Sequence, residues 1–148
     1  THANLGEPTF GVAPGNAEIW ATLRTLNDAQ MGALCTRAEA LVRETAGEAG
    51  LGVALSYHDV FHHCENDAEA VALLRKAFDD EKLRHGPGSP SRGSEDFGLF
   101  GRQAKSAMFI LGSGEASPQL HNPDFDFPDA LIEPGSRAFM RTLRNLLG

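Results

Sequence analysis

The sequence predicts an α/β protein, because stretches with strand periodicity alternate with stretches of helical periodicity. Residues 17–25 alternate apolar and polar side chains strictly, as a half-exposed strand does. Residues 31–46 place apolar side chains at helical spacing, and residues 53–60 return to the two-residue alternation. The composition suits a globular protein, since 41% of the 148 residues are hydrophobic.

The ends of the first predicted helix carry recognisable signals. Asn27 or Asp28 can cap its start, and Gly47 or Gly50 can stop it. The helix is expected to lie on the apolar side of the preceding strand, the side that includes Ile19. These three segments together predict a strand, helix, strand unit of about half a small α/β domain.

The pattern changes after Cys64, which predicts a boundary between residues 1–64 and 65–148. Asn66 and Glu69 resemble a capping box in front of a second helix. Pro134 suits the first turn of a terminal helix. The predicted apolar face of that helix contains Phe139, Leu143, Leu146 and Leu147.

The stretch from residue 93 to residue 129 is the predicted functional centre. An acidic entry at residues 94–96 precedes an apolar run at residues 107–111, which is predicted to be a buried strand. A Gly-Ser-Gly loop follows, and then a turn with His121 that Phe125 and Phe127 are expected to anchor. Ligands bind at the carboxyl ends of strands in open α/β sheets, so this is where a site is expected.

Charge and composition exclude several classes of partner. The formal net charge is -7, and the 13 Lys and Arg residues are scattered, so binding to nucleic acid is not expected. No apolar run has the length of a membrane span, and no membrane partner is expected. Cys35 and Cys64 lack the spacing of a disulfide framework or zinc ribbon, which favours reduced thiols and a cytoplasmic location.

Each candidate for chemistry has a structural alternative. His121 is either a surface histidine or a ligand or catalyst that Asp124 and Asp126 orient. Ser94 is either a nucleophile or a helix start. Arg24 is either an exposed strand residue or a binder of a substrate carboxylate.

A second histidine group lies near the predicted boundary. It consists of His58, His62, His63 and Cys64. Its spacing is not that of a complete ligand set, so it is either a metal site or, as the residues favour, a solvated connector.

Three segments carry a resemblance to a known family: residues 10–25, residues 92–101, and residues 107–129 with the sequence AMFILGSGEASPQLHNPDFDFPD. Read together, they resemble the carboxyl-terminal part of metal-dependent amidohydrolases that include hippurate hydrolases and N-acyl-amino-acid aminoacylases, relatives of glutamate carboxypeptidase. The resemblance implies the latter half of a small lid or dimerisation α/β domain in residues 1–64. Residues 65–148 would then be the carboxyl-terminal part of a zinc-peptidase-like α/β/α catalytic domain.

The resemblance also implies roles for individual residues. His121 would be a ligand of a site that holds two divalent metal ions (zinc, manganese, cobalt or nickel). Arg24, Gly112 and Gly114 would contact the substrate, an N-acyl amino acid or related amide. The active-site loop would contain Ser94, Glu95 and Asp96. A homodimer through the lid domain would be the expected assembly.

Two departures from the family pattern limit these implications. The family often has an asparagine within the segment that here reads Phe-Gly-Val-Ala-Pro, at residues 10–14. Its Cys-x-His, Gly-His-Asp-Gly-His and Glu-Glu motifs, which supply the other ligands and the general base, do not occur in this sequence. The chain is therefore expected to be an enzyme fragment that is inactive on its own, and the alternative is a non-catalytic dimerisation or association module.

Overall fold

The computed structural model describes all 148 residues and divides into two compact units, residues 1–63 and 64–148. The elements in chain order are β1 (His2–Leu5), β2 (Ala17–Trp20), α1 (Asp28–Glu48), α2 (Ala68–Asp80), α3 (Gly98–Gly101), a short 3₁₀ turn (Asp129–Leu131) and α4 (Ile132–Leu147). Helices and strands both occur, although the sheet is smaller than the sequence predicts. The assignment of the units to a lid domain and a catalytic domain stays a prediction.

The first unit contains a two-stranded antiparallel sheet. His2 pairs with Trp20 and Leu5 pairs with Ala17, and the rings of His2 and Trp20 lie 5.1 Å apart. β1 has too few apolar residues to show a strand pattern, so the sequence did not predict it. All residues of both strands are exposed.

The predicted strand over residues 17–25 is wrong in its extent, because β2 ends at Trp20. β1 has only four residues, so residues 21–25 have no neighbouring strand to pair with. The expected packing of the helix on this strand is also wrong. Ile19 is 71% exposed, and α1 does not pack on either strand.

Both predicted ends of α1 are confirmed. The Asn27 side chain accepts a hydrogen bond from the backbone N–H of Gln30, as an N-cap residue does. At the other end Gly50 has a φ of +66°, and the N–H of Leu51 donates to the carbonyl of Ala46 at 2.8 Å. This is a Schellman ending, in which glycine takes the left-handed conformation.

Residues 53–60 do not form the predicted second strand, since no other strand in the unit lies beside them. A side chain fixes the segment to the helix instead. The Tyr57 hydroxyl donates to the Glu39 carboxylate of α1 at 2.6 Å.

The core of the second unit lies where α2 packs against α4. Ala77 and Ala138 are fully buried there. Their small side chains allow the two helices to approach closely. The ring of Phe109 adds to this core, because it contacts Phe78 of α2 at 5.1 Å and Phe139 of α4 at 5.5 Å between ring centres.

The capping box predicted from Asn66 is wrong by one residue. Asp67 caps α2, since its Oδ1 accepts from the N–H groups of Glu69 at 2.9 Å and Ala70 at 3.0 Å. The side-chain amide of Asn66 is used elsewhere, in two hydrogen bonds with the backbone of Met108.

Residues 107–111 do not form a strand, because the unit contains no other strand to pair with them. Pro134 lies in the first turn of α4, as predicted. The predicted apolar side chains of α4 are all at least half exposed, from 50% at Leu143 to 84% at Leu147. No helix of the chain has both the length and the apolar character that a membrane span requires.

Candidate functional site

His121 lies at the third position of a four-residue turn. The N–H of Asn122 donates to the carbonyl of Gln119 at 3.0 Å, which closes the turn. His121 has a φ of +72°, a region that side-chain-bearing residues enter rarely and at a cost of about 1–3 kcal/mol. The imidazole is exposed, so this conformation displays it to solvent.

The neighbouring residues do not orient and anchor His121 in the way that the sequence predicts. Asp124 and Asp126 make no hydrogen bond to the imidazole, and both are exposed. Phe125 is half-buried, but Phe127 is 54% exposed, so its predicted role as an anchor is wrong. The turn is held by its own backbone, through the bond above and through the N–H of Phe125, which donates to the carbonyl of Asn122 at 3.0 Å.

The glycine loop before His121 has one position that requires glycine. Gly114 has a φ of +104°, which a residue with a side chain rarely adopts. The Ser117 hydroxyl donates to the carbonyl of Ser113 at 2.7 Å and closes the loop. Gly112 is exposed and has open space where a Cβ would lie. Backbone in this loop is therefore accessible to a small molecule.

The acidic loop leads into α3. Ser94, Glu95 and Asp96 are all exposed, and the carbonyl of Asp96 accepts from the N–H of Leu99 at 3.0 Å to begin the short helix. Asp96 also lines a shallow, mainly apolar cavity. The other lining residues are Leu99, Phe100, Gln103 and Ala104.

Arg24 belongs to the first unit and lies four residues beyond the end of β2. The sequence predicts that Arg24 lies on a strand, and this prediction is wrong because β2 ends at Trp20. The Arg24 side chain is exposed, as a role in binding an anion in solution requires.

The residues present do not form a metal site on their own. No group of three or more His, Cys, Asp or Glu side chains is positioned to hold a metal ion. In particular, His121, Glu95 and Asp96 do not make such a group. A hydrolytic metal ion needs at least three protein ligands, and one exposed imidazole supplies only one of them.

The second histidine group has a structural role that the sequence did not reveal. The Asp28 carboxylate, in the first turn of α1, accepts from Nδ1 of His62 at 2.9 Å and from the N–H of His63 at 2.8 Å. Nδ1 of His63 lies 3.1 Å from the same carboxylate. The backbone bond from His63, and then the bond from His62, lower the pKa of Asp28 far below its usual range. These contacts hold the end of the first unit against α1. They support the interpretation of this histidine group as a connector more than as a metal site.

Comparison with known proteins shows the family of the chain. The model of a family described as peptidase family M20/M25/M40 matches residues 4–145. The chain belongs to peptidase family M20/M25/M40. The resemblance read from the sequence is therefore confirmed at the level of this family, while the branch of hippurate hydrolases and aminoacylases within it stays a prediction.

A curated relative agrees with the M20 assignment. The chain is 31% identical over 144 residues to a Synechocystis sp. protein named "Probable hydrolase", and the match covers 89% of this chain. The chain spans about a third of the length of that relative, 36% of it. No solved structure matches the chain significantly.

Proposed function

We propose that this chain is a part of an M20 hydrolase that cleaves the amide bond of N-acyl amino acids or related substrates. The observation that supports this best is the family match, which extends over nearly the whole chain and includes His121, Arg24 and both candidate loops. The name of the Synechocystis relative, "Probable hydrolase", also supports a hydrolase.

In this proposal His121 gives one ligand to a pair of divalent metal ions, as its resemblance to the family motif implies. His121 has a left-handed backbone conformation and an exposed imidazole. Both features suit a metal ligand that lies at the surface of a turn and not within a packed core. Since this chain gathers no three ligating side chains, the other ligands and the general base come from polypeptide outside this sequence. The bound metals supply activated water and polarise the amide carbonyl.

The other candidate residues take the roles that the resemblance implies. The backbone around Gly112 and Gly114 approaches the substrate, and the φ of +104° at Gly114 favours a residue without a side chain at that position. Ser94, Glu95 and Asp96 border the site. Arg24 binds the carboxylate of the amino acid through its planar fork of donors. This chain alone is inactive.

The test is a His121→Ala variant of a complete M20 protein that contains this sequence. We expect turnover of N-acyl amino acids to fall by orders of magnitude and bound metal to fall by about one ion per site. His58→Ala is the matched control, because His58 is also an exposed loop histidine and bonds only to Ser56 two residues away. Unchanged metal content and near-normal turnover in His121→Ala would overturn the proposal.

The second candidate function is a non-catalytic association module. The exposed sheet favours it, since Leu5 and Ile19 on one face and Trp20 on the other are all largely exposed to solvent. The same sheet suits the homodimer that the lid resemblance implies, so dimer formation alone does not separate the two functions. Metal-dependent hydrolysis by the complete protein separates them.

A further inference from the structure

Three hydrogen bonds join the start of α2 to the segment that leads into the glycine loop. Nδ2 of Asn66 donates to the carbonyl of Met108, and Oδ1 of Asn66 accepts from the N–H of Met108, each at 2.8 Å. The N–H of Asp67 donates to the carbonyl of Ser106 at 2.8 Å. We call residues 66–67 and 106–108 together the Asn66 junction.

The junction is fixed to the core of the second unit through α2. Asp67 caps this helix, because its Oδ1 accepts from the N–H groups of Glu69 and Ala70. The helix itself packs on α4, where Ala77 is fully buried. Since Asn66 directly precedes the cap residue, its side chain holds Met108 at a defined place relative to the packed helices.

Apolar packing alone does not define that place. The ring of Phe109 lies between Phe78 and Phe139, as described above. Such apolar contacts are non-directional, whereas a hydrogen bond weakens steeply when its angle or distance changes. The two bonds of the Asn66 amide therefore set how far the segment is advanced along the helices.

The junction lies between the two candidate loops. On one side is α3, which follows the acidic loop and ends at Gly101. A Cβ on Gly101 would lie 3.2 Å from Oγ of Ser106, so the end of α3 lies against the junction. On the other side, Gly112 follows Met108 by four residues, and residues 105–114 contain no helix, turn or bend. A shift of Met108 would therefore be passed on to the glycine loop.

We propose that Asn66 is a positioning residue of the hydrolase site. The inference rests on the proposed function, in which the backbone around Gly112 and Gly114 approaches the substrate. Asn66 does not touch the substrate and acts through the backbone of Met108. The effect is measurable because a misplacement of about 1 Å by a residue far from the chemistry can cost about 100-fold in rate.

Kinetics of Asn66 variants test the proposal, in a complete M20 protein that contains this sequence. Asn66→Ala removes both bonds to Met108, and we expect KM for N-acyl amino acids to rise about fivefold or more, with a smaller change in kcat. Bound metal should stay as in the parent, because the turn with His121 is held by its own backbone bonds. Asn66 is exposed, so its truncation leaves no cavity in the core.

Two further variants separate positioning from a general effect on the fold. Asn66→Asp keeps the shape and the acceptor for the Met108 N–H but loses the donor to the carbonyl, so KM should rise here too. This variant carries the test if Asn66→Ala does not fold. Asn145→Ala is the matched control, because its amide bonds to the side chain of Asp80 at 2.9 Å at the exposed surface. Its KM should equal that of the parent.

A parent-like KM in both Asn66 variants would overturn the proposal, and so would an equal rise in Asn145→Ala. Loss of bound metal in Asn66→Ala would also overturn it, because Asn66 would then support the metal ligand or the whole fold. The proposed function fails separately, through unchanged metal and turnover in His121→Ala. If His121→Ala loses both while the Asn66 variants keep the parent KM, only the positioning role fails.

Discussion

Arg137 of α4 binds Glu81 at two points. Its Nε donates to Oε2 of Glu81 at 2.9 Å, and its Nη2 donates to the Glu81 carbonyl at 2.6 Å. Nε of Arg141 donates to the other carboxylate oxygen at 2.7 Å. Glu81 directly follows α2, so one carboxylate joins the end of that helix to two turns of α4.

We expect Glu81→Gln to weaken the packing of α2 on α4. The hydrogen bonds from Arg137, and then those from Arg141, lower the pKa of Glu81. A lowered pKa means that this stabilisation is present above the unfolded-state pKa near 4.5 and is lost as the pH falls through the folded-state pKa. Urea denaturation at several pH values measures the effect.

The variant should therefore be less stable than the parent at pH 7, and the difference should shrink towards acid pH. Glu133→Gln is the control, because Glu133 contacts Arg137 only at the exposed surface, at 3.3 Å. Equal losses in Glu81→Gln and Glu133→Gln would contradict the role given to Glu81.

The contact between α2 and α4 also depends on small side chains. We expect Ala77→Leu to destabilise the chain by about 1–3 kcal/mol, because Ala77 is fully buried and the added atoms would force the helices apart. Ala72→Leu is the matched control, since Ala72 is exposed on the same helix. Similar midpoints for both variants in thermal unfolding would show that the helices do not pack at Ala77.

Helix ends could be predicted from the sequence because they depend on neighbouring residues. Asn27 and Gly50 act within one turn of the helix that they bound, and both predictions hold. The cap of α2 was misplaced by one residue because Asn66 is taken by Met108, which is 42 residues away. A local pattern carries no information about such a distant partner.

Strands were predicted less well for the same reason. Residues 53–60 and 107–111 have the expected patterns, but a strand also needs a neighbour, and neither segment has one. The candidate site shows the same limit of prediction from local sequence. The turn that displays His121 is local, whereas a metal site needs side chains from distant segments, which this chain does not bring together.

The hydroxyl of Tyr57 is the basis of a prediction at alkaline pH. Its hydrogen bond to Glu39 favours the neutral form and raises the pKa of Tyr57 to about 12, from an ordinary 10. The bond therefore stabilises the first unit below pH 10, and this contribution is lost as the pH rises from 10 towards 12.

Ultraviolet titration can follow this group without interference, because Tyr57 is the chain's single tyrosine. We expect the tyrosinate absorbance to appear near pH 12 in the parent and nearer pH 10 in Glu39→Gln. Glu44→Gln, an exposed change on the same helix, should leave the titration as in the parent. An ordinary titration in the parent would mean that the bond to Glu39 does not form.

The role proposed for Arg24 leads to a prediction about substrate preference. In a complete M20 protein that contains this sequence, Arg24→Ala should weaken transition-state binding of carboxylate-bearing substrates by on the order of 2–4 kcal/mol, measured as kcat/KM. Uncharged amides should be affected little, because they offer no anion to the guanidinium. Arg37→Ala is the control, since Arg37 is an exposed arginine of α1 in the same unit. Equal losses for both kinds of substrate would mean that Arg24 supports the fold or the assembly and does not bind the carboxylate.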